Sequence, residues 1–276
     1  MEPTDILAAD AGRAPAARPA STILLVRDGD AGGLEVFMVK RHHAIDFASG
    51  ALVFPGGKLA EGDQDAALAG HCQDGPVIPD VTERGMMIAG IREAFEESGL
   101  LLARAKGEEA LLDAARAHAL APWRPRLDKG EVGMRAFAEA EGLVFALDQL
   151  VPFAHWVTPT FMPKRFDTAF YIAPAPAGQI GRHDGSESVD SLWISPAEAL
   201  RGAEDGRFAM VVATRLNVEM LGRAATAAEA LAQAASRPIV TVEPVLDKTA
   251  PGGAVLRIPA DAGYRVSEIA VERIAK

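Results

Sequence analysis

At 276 residues and 49% hydrophobic side chains, the chain can bury a sizeable core in one large domain or two small ones. Its 38 acidic against 28 basic residues give a net charge of −10, which argues against a protein whose main business is gripping nucleic-acid backbone. The single cysteine, Cys72, read as an inert thiol, excludes an intrachain disulfide; apolar runs such as residues 23 to 26 are far too short to span a bilayer, and MEPTDILAAD has no secretory pattern, so the expectation is a soluble, untargeted, cytoplasmic protein.

Residues 1 to 20, rich in Ala, Pro and Arg, lack a packing period and are expected to form a mobile tail. STILLV (21 to 26) and LEVFMVKR (34 to 41), separated by the turn-forming DGDAGG, predict a hairpin. ALVFPGG (51 to 57) predicts a short strand stopped by Pro55 and two glycines. Asp80 with Glu83 three residues on marks a helix start and Gly99 its end, so a helix is expected over about 81 to 98. Residues 107 to 142 mix Ala, Leu and charge at helical spacing and predict a helical subregion. HWVTP (155 to 159), RFDTAFYIAP (165 to 174) and VDSLWIS (189 to 195) read as strands, and Ser195-Pro196-Ala197-Glu198 as a capping box opening a further helix. Helical composition over 208 to 224 and 226 to 235 predicts a helical C-terminal extension. Neither repeats nor an interdomain linker is visible, which favours one domain over 21 to 276, with insertions at about 64 to 80 and 107 to 142.

The stretch GIREAFEESGL, residues 90 to 100, poses the functional question. At 100° per residue, Met87, Ile88, Ile91, Ala94 and Phe95 share one stripe, while Glu93, Glu96 and Glu97 fall on the opposite face, where like charges repel. One reading is a solvated acidic face on a core-packed helix. The other is that a divalent cation offsets the repulsion, since hard oxygen donors within one helical turn suit Mg²⁺ or Mn²⁺.

The upstream FPGGKLAEGD joined to REAFEESGL resembles the signature of the Nudix hydrolases. Gly57 stands for the first glycine of that box, and Arg92, Glu93, Ala94, Glu96, Glu97, Gly99 and Leu100 match its second half. Asp63 stands where the family has its first Glu, and 28 residues rather than seven separate it from Arg92, an insertion of 21. The resemblance implies an α/β fold, an α/β/α sandwich with a mixed sheet plus helical insertions. It further implies Mg²⁺- or Mn²⁺-dependent attack of water on a diphosphate in a small-molecule nucleoside diphosphate derivative. Carried over by position, Glu93, Glu96 and Glu97 are the expected metal ligands together with the carbonyl near Gly57, and Arg92 orients the glutamates. Glu187, six residues before Trp193, is offered as the general base, ahead of Asp184 and Asp190.

Arg41, Gly50 and Phe54-Pro55-Gly56-Gly57 keep the spacing of the coenzyme A diphosphatases of the family, although His42 replaces a small residue and Asp46 a second Arg. FPGGKL, IREAFEESGLLL, HWVTP and PKRFDTAFYI, in that order, are similar to a peroxisomal branch whose box is also split; with the ending Arg-Ile-Ala-Lys, no peroxisomal address is expected. Arg41, Lys164 and Arg165 are expected to reach substrate phosphates, and Trp156 and Phe161 either stack on adenine or belong to the core. His42 and His43 read as polar groups rather than transition-metal ligands. The insertion and the 107 to 142 region are both reasonable lids, and a homodimer is a further expectation. The same chemistry on a nucleotide sugar, dinucleotide or nucleoside triphosphate, and a non-catalytic nucleotide-binding module, stay open as alternatives.

Overall fold

The computed structural model describes residues 14–30, 32–41, 50–73, 80–183 and 188–271. Strand β1 (Arg18–Asp28) is followed by β2 (Leu34–Arg41), which pairs Val36 with Val26. β3 (Leu52–Val53) and β4 (Gly56–Lys58) follow, then 3-10 turns at Glu61–Gln64 and Ala66–His71 and the long helix α1 (Val81–Ser98). Next come β5 (Ala103–Ala105), three short helices, α2 (Ala114–Ala119), α3 (Arg124–Asp128) and α4 (Met134–Glu141), and β6 (Leu143–Phe145). The chain returns to the main sheet with β7 (Val151–Val157), β8 (Phe166–Pro174) and β9 (Ser188–Ile194). It then adds α5 (Pro196–Glu204), α6 (Val212–Leu221), α7 (Ala227–Ala235), β10 (Thr241–Val242), β11 (Val245–Asp247), β12 (Val255–Arg257) and β13 (Glu268–Ala270).

Among the described residues the main sheet runs β10-β7-β8-β1-β2-β3, with β4 joined to β1 and β9 to β2. It is mixed: β1 lies parallel to β8 and β10 parallel to β7, and the other pairs are antiparallel. Both faces are covered, as the central strands foretell by being apolar at nearly every position. Alternate residues of β1 and β2 divide between two cores. Ile23, Leu25, Phe37 and Val39 pack with Ile88, Ile91 and Phe95 of α1 on one side. Leu24, Val26, Val36 and Met38 pack with Leu216, Val218, Ala230 and Ala234 of α6 and α7 on the other. The result is the expected α/β/α arrangement. No helix among the described residues is long and apolar enough to cross a membrane.

Several boundaries differ from the sequence expectation. The first strand begins at Arg18, inside the expected tail, because parallel pairing with Phe166 of β8 orders it. Gly56 and Gly57 do not stop a strand; they form one, opposite Thr22 and Ser21 of β1, where a Cβ on Gly56 would strike the β1 backbone and one on Gly57 the Glu93 side chain. The C-terminal extension is not wholly helical: after α7, Pro238, Pro244 and Pro251 break helical continuity and β-branched runs form β10 and the small antiparallel sheet β11-β12-β13. Residues 107 to 142 are helical as expected, yet they bury Leu120, Leu127, Met134 and Phe137 in the α1 core, with the Phe137 ring stacked on Phe95 at a centroid distance of 5.4 Å. Packing of that kind joins the region to the α1 core.

Candidate active site

Helix α1 is fixed at both ends by the residues the sequence marks. Asp80 Oδ1 accepts from the Glu83 N–H at 2.8 Å, and Gly99, at φ 76°, ends the helix with its N–H on the Phe95 carbonyl. Met87, Ile88, Ile91, Ala94 and Phe95 enter the core as the helical stripe requires. The opposite face is not solvated. Arg92, Glu93, Glu96 and Glu97 are only 8%, 9%, 7% and 6% exposed, because β4 and the 3-10 turn Glu61–Gln64 lie across them. Burial at this level removes the reading of a solvent-facing acidic stripe: carboxylates that leave water need specific partners.

Most of those partners converge on Arg92. Its Nε and Nη2 donate to the Asp63 carboxylate at 3.0 Å each, its Nη2 also to the Lys58 carbonyl at 2.8 Å, and its Nη1 to Glu93 Oε1 and Glu96 Oε2 at 2.8 and 2.9 Å. Burial by itself favours loss of the guanidinium proton, but Glu93, Asp63 and Glu96 outweigh it and hold Arg92 firmly charged. Asp63, 2% exposed, also takes the Ala60 N–H at 2.9 Å, so the residue that departs from the family pattern is the anchor of the arginine. Glu97 Oε2 accepts from the Gly56 N–H at 3.2 Å. A Cβ on Gly57 would fall on the Glu93 carboxyl, which explains why that position carries no side chain.

Glu96 is the unbalanced member. Its Oε1 is buried without a hydrogen-bond partner. Burial first, opposed by Arg92 and reinforced by the negative charges of Glu93 and of Asp128 in α3, pushes its carboxyl up to about 8. A buried acid with an orphaned oxygen, beside two more carboxylates in one helical turn, suits a hard divalent cation in donor chemistry. In the arrangement described, however, Arg92 draws Glu93 and Glu96 to itself, and no group of three or more His, Cys, Asp or Glu among the described residues is disposed as a finished metal site.

The outer residues fare unevenly. β2 and β9 pair Arg41 with Ser188; by strand direction, Arg41, the start of β9 and the 158–165 connection all lie at the end of the sheet where β1 begins and Gly57 pairs with Ser21. Lys164 is exposed on that connection. The Arg165 guanidinium is ion-paired to Glu243 at 2.6 Å and donates to the carbonyls of Thr158 and Pro15 at 2.9 Å, linking the connection ahead of β8 to these three neighbours. Trp156 is core, donating to the Tyr264 hydroxyl at 2.7 Å, while Phe161 is half-buried. Asp190 is exposed on β9. Glu187, Asp184, His42, His43 and Asp46 lie outside the described residues. Sequence reading misses the Lys58 carbonyl and Asp128, neither of which any motif spacing marks.

A mixed sheet between two helical layers, with a Gly-Gly strand laid against an Arg-Glu-x-x-Glu-Glu helix, is the architecture of a Nudix hydrolase. The sequence profile described as the NUDT19 Nudix domain matches residues 68–211, just over half of the chain, and the chain belongs to that family. It is 28% identical to the acyl-coenzyme A diphosphatase NUDT19 of Gallus gallus over 60% of this chain and 55% of that protein. To the Homo sapiens protein of the same name it is 27% identical, over 70% of this chain and 60% of that one. The chain thus spans little more than half the length of these relatives. A crystal structure of a Nudix hydrolase from Alicyclobacillus acidocaldarius superposes with a TM-score of 0.68 at 28% identity, covering 81% of this chain and 99% of that one.

Proposed function

We propose that the protein hydrolyses the diphosphate linkage of a nucleoside diphosphate derivative, with coenzyme A or an acyl-coenzyme A as the substrate class. The observation that carries this reading is the buried set Asp63, Arg92, Glu93, Glu96 and Glu97 against Gly56 and Gly57, in a chain of the NUDT19 family. A solvent-exposed cluster would be compatible with mere solubility. A buried one, with one carboxylate oxygen unsatisfied, carries a desolvation cost that a binding role accounts for. The names of the curated relatives support the substrate class, as does the spacing of Arg41 and Gly50 ahead of Phe54-Pro55-Gly56-Gly57.

Glu93, Glu96 and Glu97, with the carbonyl of Gly57, would hold Mg²⁺ or Mn²⁺. When bound, such an ion neutralises charge on the non-bridging phosphate oxygens and lowers the pKa of a water. The remaining work falls to the chain itself. Arg92 restrains the carboxyls of Glu93 and Glu96 through one nitrogen, and Asp63 restrains Arg92. Gly56 keeps Glu97 directed at β4 through its N–H. Arg41 and Lys164, at the same end of the sheet, supply positive charge for the phosphates, and Glu187 is the proposed general base.

The test is a screen of the purified protein with Mg²⁺ or Mn²⁺ against coenzyme A, acetyl-coenzyme A, ADP-ribose, NADH, diadenosine polyphosphates and nucleoside triphosphates, with Glu97→Gln in parallel. Release of 3′,5′-ADP from coenzyme A, falling at least ~100-fold in the variant, is expected. Preference for another diphosphate would discard the substrate class while keeping the chemistry. Absence of turnover on every compound would leave the non-catalytic nucleotide-binding module.

A further inference from the structure

Arg124 belongs to α3, in the stretch inserted after β5, yet its side chain ends on the helix that carries the carboxylates. Its Nε and Nη2 both donate to the carbonyl of Glu96, at 3.0 and 2.9 Å, and Nη2 also to the carbonyl of Arg182 at 3.1 Å. The Glu96 carbonyl is one of the last in α1, where a helix runs out of N–H groups. The Gly99 N–H is taken by Phe95 and the Leu100 N–H by Ser98 Oγ at 3.0 Å. A guanidinium placed there supplies the missing donors and complements the negative end of the helix.

The neighbouring contacts extend the same clamp. The Ser98 carbonyl accepts from the Arg182 N–H at 2.7 Å. Gln179 accepts from the Leu101 N–H at 2.9 Å and donates to the carbonyls of Leu101 and Leu112 at 3.3 and 2.8 Å. Gly181 lies so close to Phe37 that a Cβ would strike the ring. The turn of α1 bearing Glu96 and Glu97 is therefore gripped from two sides, by α3 and by segment 179–182, and Arg124 touches both.

We infer that Arg124 is a positioning residue for the hydrolysis proposed above, fixing the last turn of α1 so that Glu96 and Glu97 stay in register with β4, and that residues 107–142 buttress the site. The inference rests on that hydrolytic reading. Its consequence is that loss of Arg124 acts on turnover more than on substrate affinity, because its Nε and Nη2 are spent on main-chain carbonyls of α1 and of segment 179–182.

The experiment compares wild type, Arg124→Lys and Arg124→Ala by steady-state kinetics on the substrate found in the screen, by hydrogen exchange over residues 93–102, and with guanidinium added to the alanine variant. Expected for Arg124→Ala is a ~10–100-fold fall in kcat with KM within about threefold, faster exchange of the 99–102 amides, and partial recovery with millimolar guanidinium. Arg124→Lys keeps the charge without the fork and falls between; it carries the test if the alanine variant does not fold. Wild-type exchange and kcat in Arg124→Ala, or lowered stability with kcat unchanged, would overturn the inference. A wild-type protein inactive on every diphosphate would instead sink the hydrolytic reading, and exchange alone would then decide whether Arg124 holds the turn.

Discussion

Replacing Glu96 by Gln should separate stability from function in a way that depends on pH. The Glu96 carboxyl, pushed up to about 8 by burial and then by Glu93 and Asp128 against the pull of Arg92, sits well above its ordinary value of 4.5. In the folded, metal-free protein the group therefore holds a proton at pH values where the unfolded chain has released it. The cost of charging it is absent below about pH 4.5, grows as pH rises toward 8, and is complete above that. At about 1.36 kcal/mol per unit, wild type should lose about 2–3 kcal/mol between pH 6 and 9 through this one residue. Gln does not titrate and can still accept from Arg92 Nη1, so the variant should change far less over the same range. Its amide would occupy the place of the unpartnered Oε1, at an unsatisfied-donor cost of about 1–3 kcal/mol present at both pH values. Urea unfolding with EDTA at pH 6 and 9 measures the difference between the two slopes. Adding Mn²⁺ at pH 8 should raise the midpoint of wild type and leave Glu96→Gln nearly unmoved. Parallel pH slopes for the two proteins would refute the claim that Glu96 is the strained acid.

The rest of the cluster makes further demands. Asp63→Ala leaves Arg92 buried without its anchor and should cost about 3–5 kcal/mol in unfolding free energy, measurable by denaturant titration, whereas a surface pair would cost under about 1 kcal/mol. A melting point unchanged in Asp63→Ala would show that the aspartate is dispensable. Gly57→Ala puts a methyl where the Glu93 carboxyl lies and should destabilise by about 1–3 kcal/mol while lowering hydrolysis at least ~10-fold, read by thermal unfolding and initial rates together. Normal rates in that variant would mean that β4 and Glu93 need not be so close.

Much of this is legible in the sequence because short-range signals are strong. Asp80, Gly99 and Ser195 set helix ends through local backbone chemistry, and β-branched runs set the central strands; those elements appear within a few residues of their expected limits. What escapes depends on contacts distant in the chain. The helical wheel places Glu93, Glu96 and Glu97 away from the apolar stripe, but a wheel cannot show that β4 and the turn at Asp63 cover that side. Arg165 has the sequence surroundings of a basic surface residue, and only the fold brings Glu243, 78 positions on, to meet it. Arg124 carries no motif, since its role comes from a carbonyl in a helix that ends 26 residues earlier. The last strands are hidden behind α6 and the alanine-rich α7, whose helical pattern dominates the C-terminal composition until the prolines beyond them are weighed.

The split box shows what its usual spacing stands for. Stretching the connection between Asp63 and Arg92 from seven residues to 28 amounts to two doublings, about 1.2 kcal/mol of added closure entropy. Against this the segment returns Leu68, fully buried in the α1 core, where a leucine contributes about 1.5–3 kcal/mol. The carbonyls of Ala60 and Gly62 accept the N–H groups of Asp63 and Asp65 through the first 3-10 turn, the second turn follows at once, and Asp80 caps α1 well ahead of Arg92, so much of the added length is already ordered structure. The two ends then meet at 3.0 Å in a buried ion pair, a contact that the shorter aspartate makes because the turn Glu61–Gln64 brings its backbone to the helix. Sequence separation between the acid and the arginine is therefore free to vary as long as their meeting is kept, and the carboxylate helix retains its geometry although the insertion makes up most of the connection.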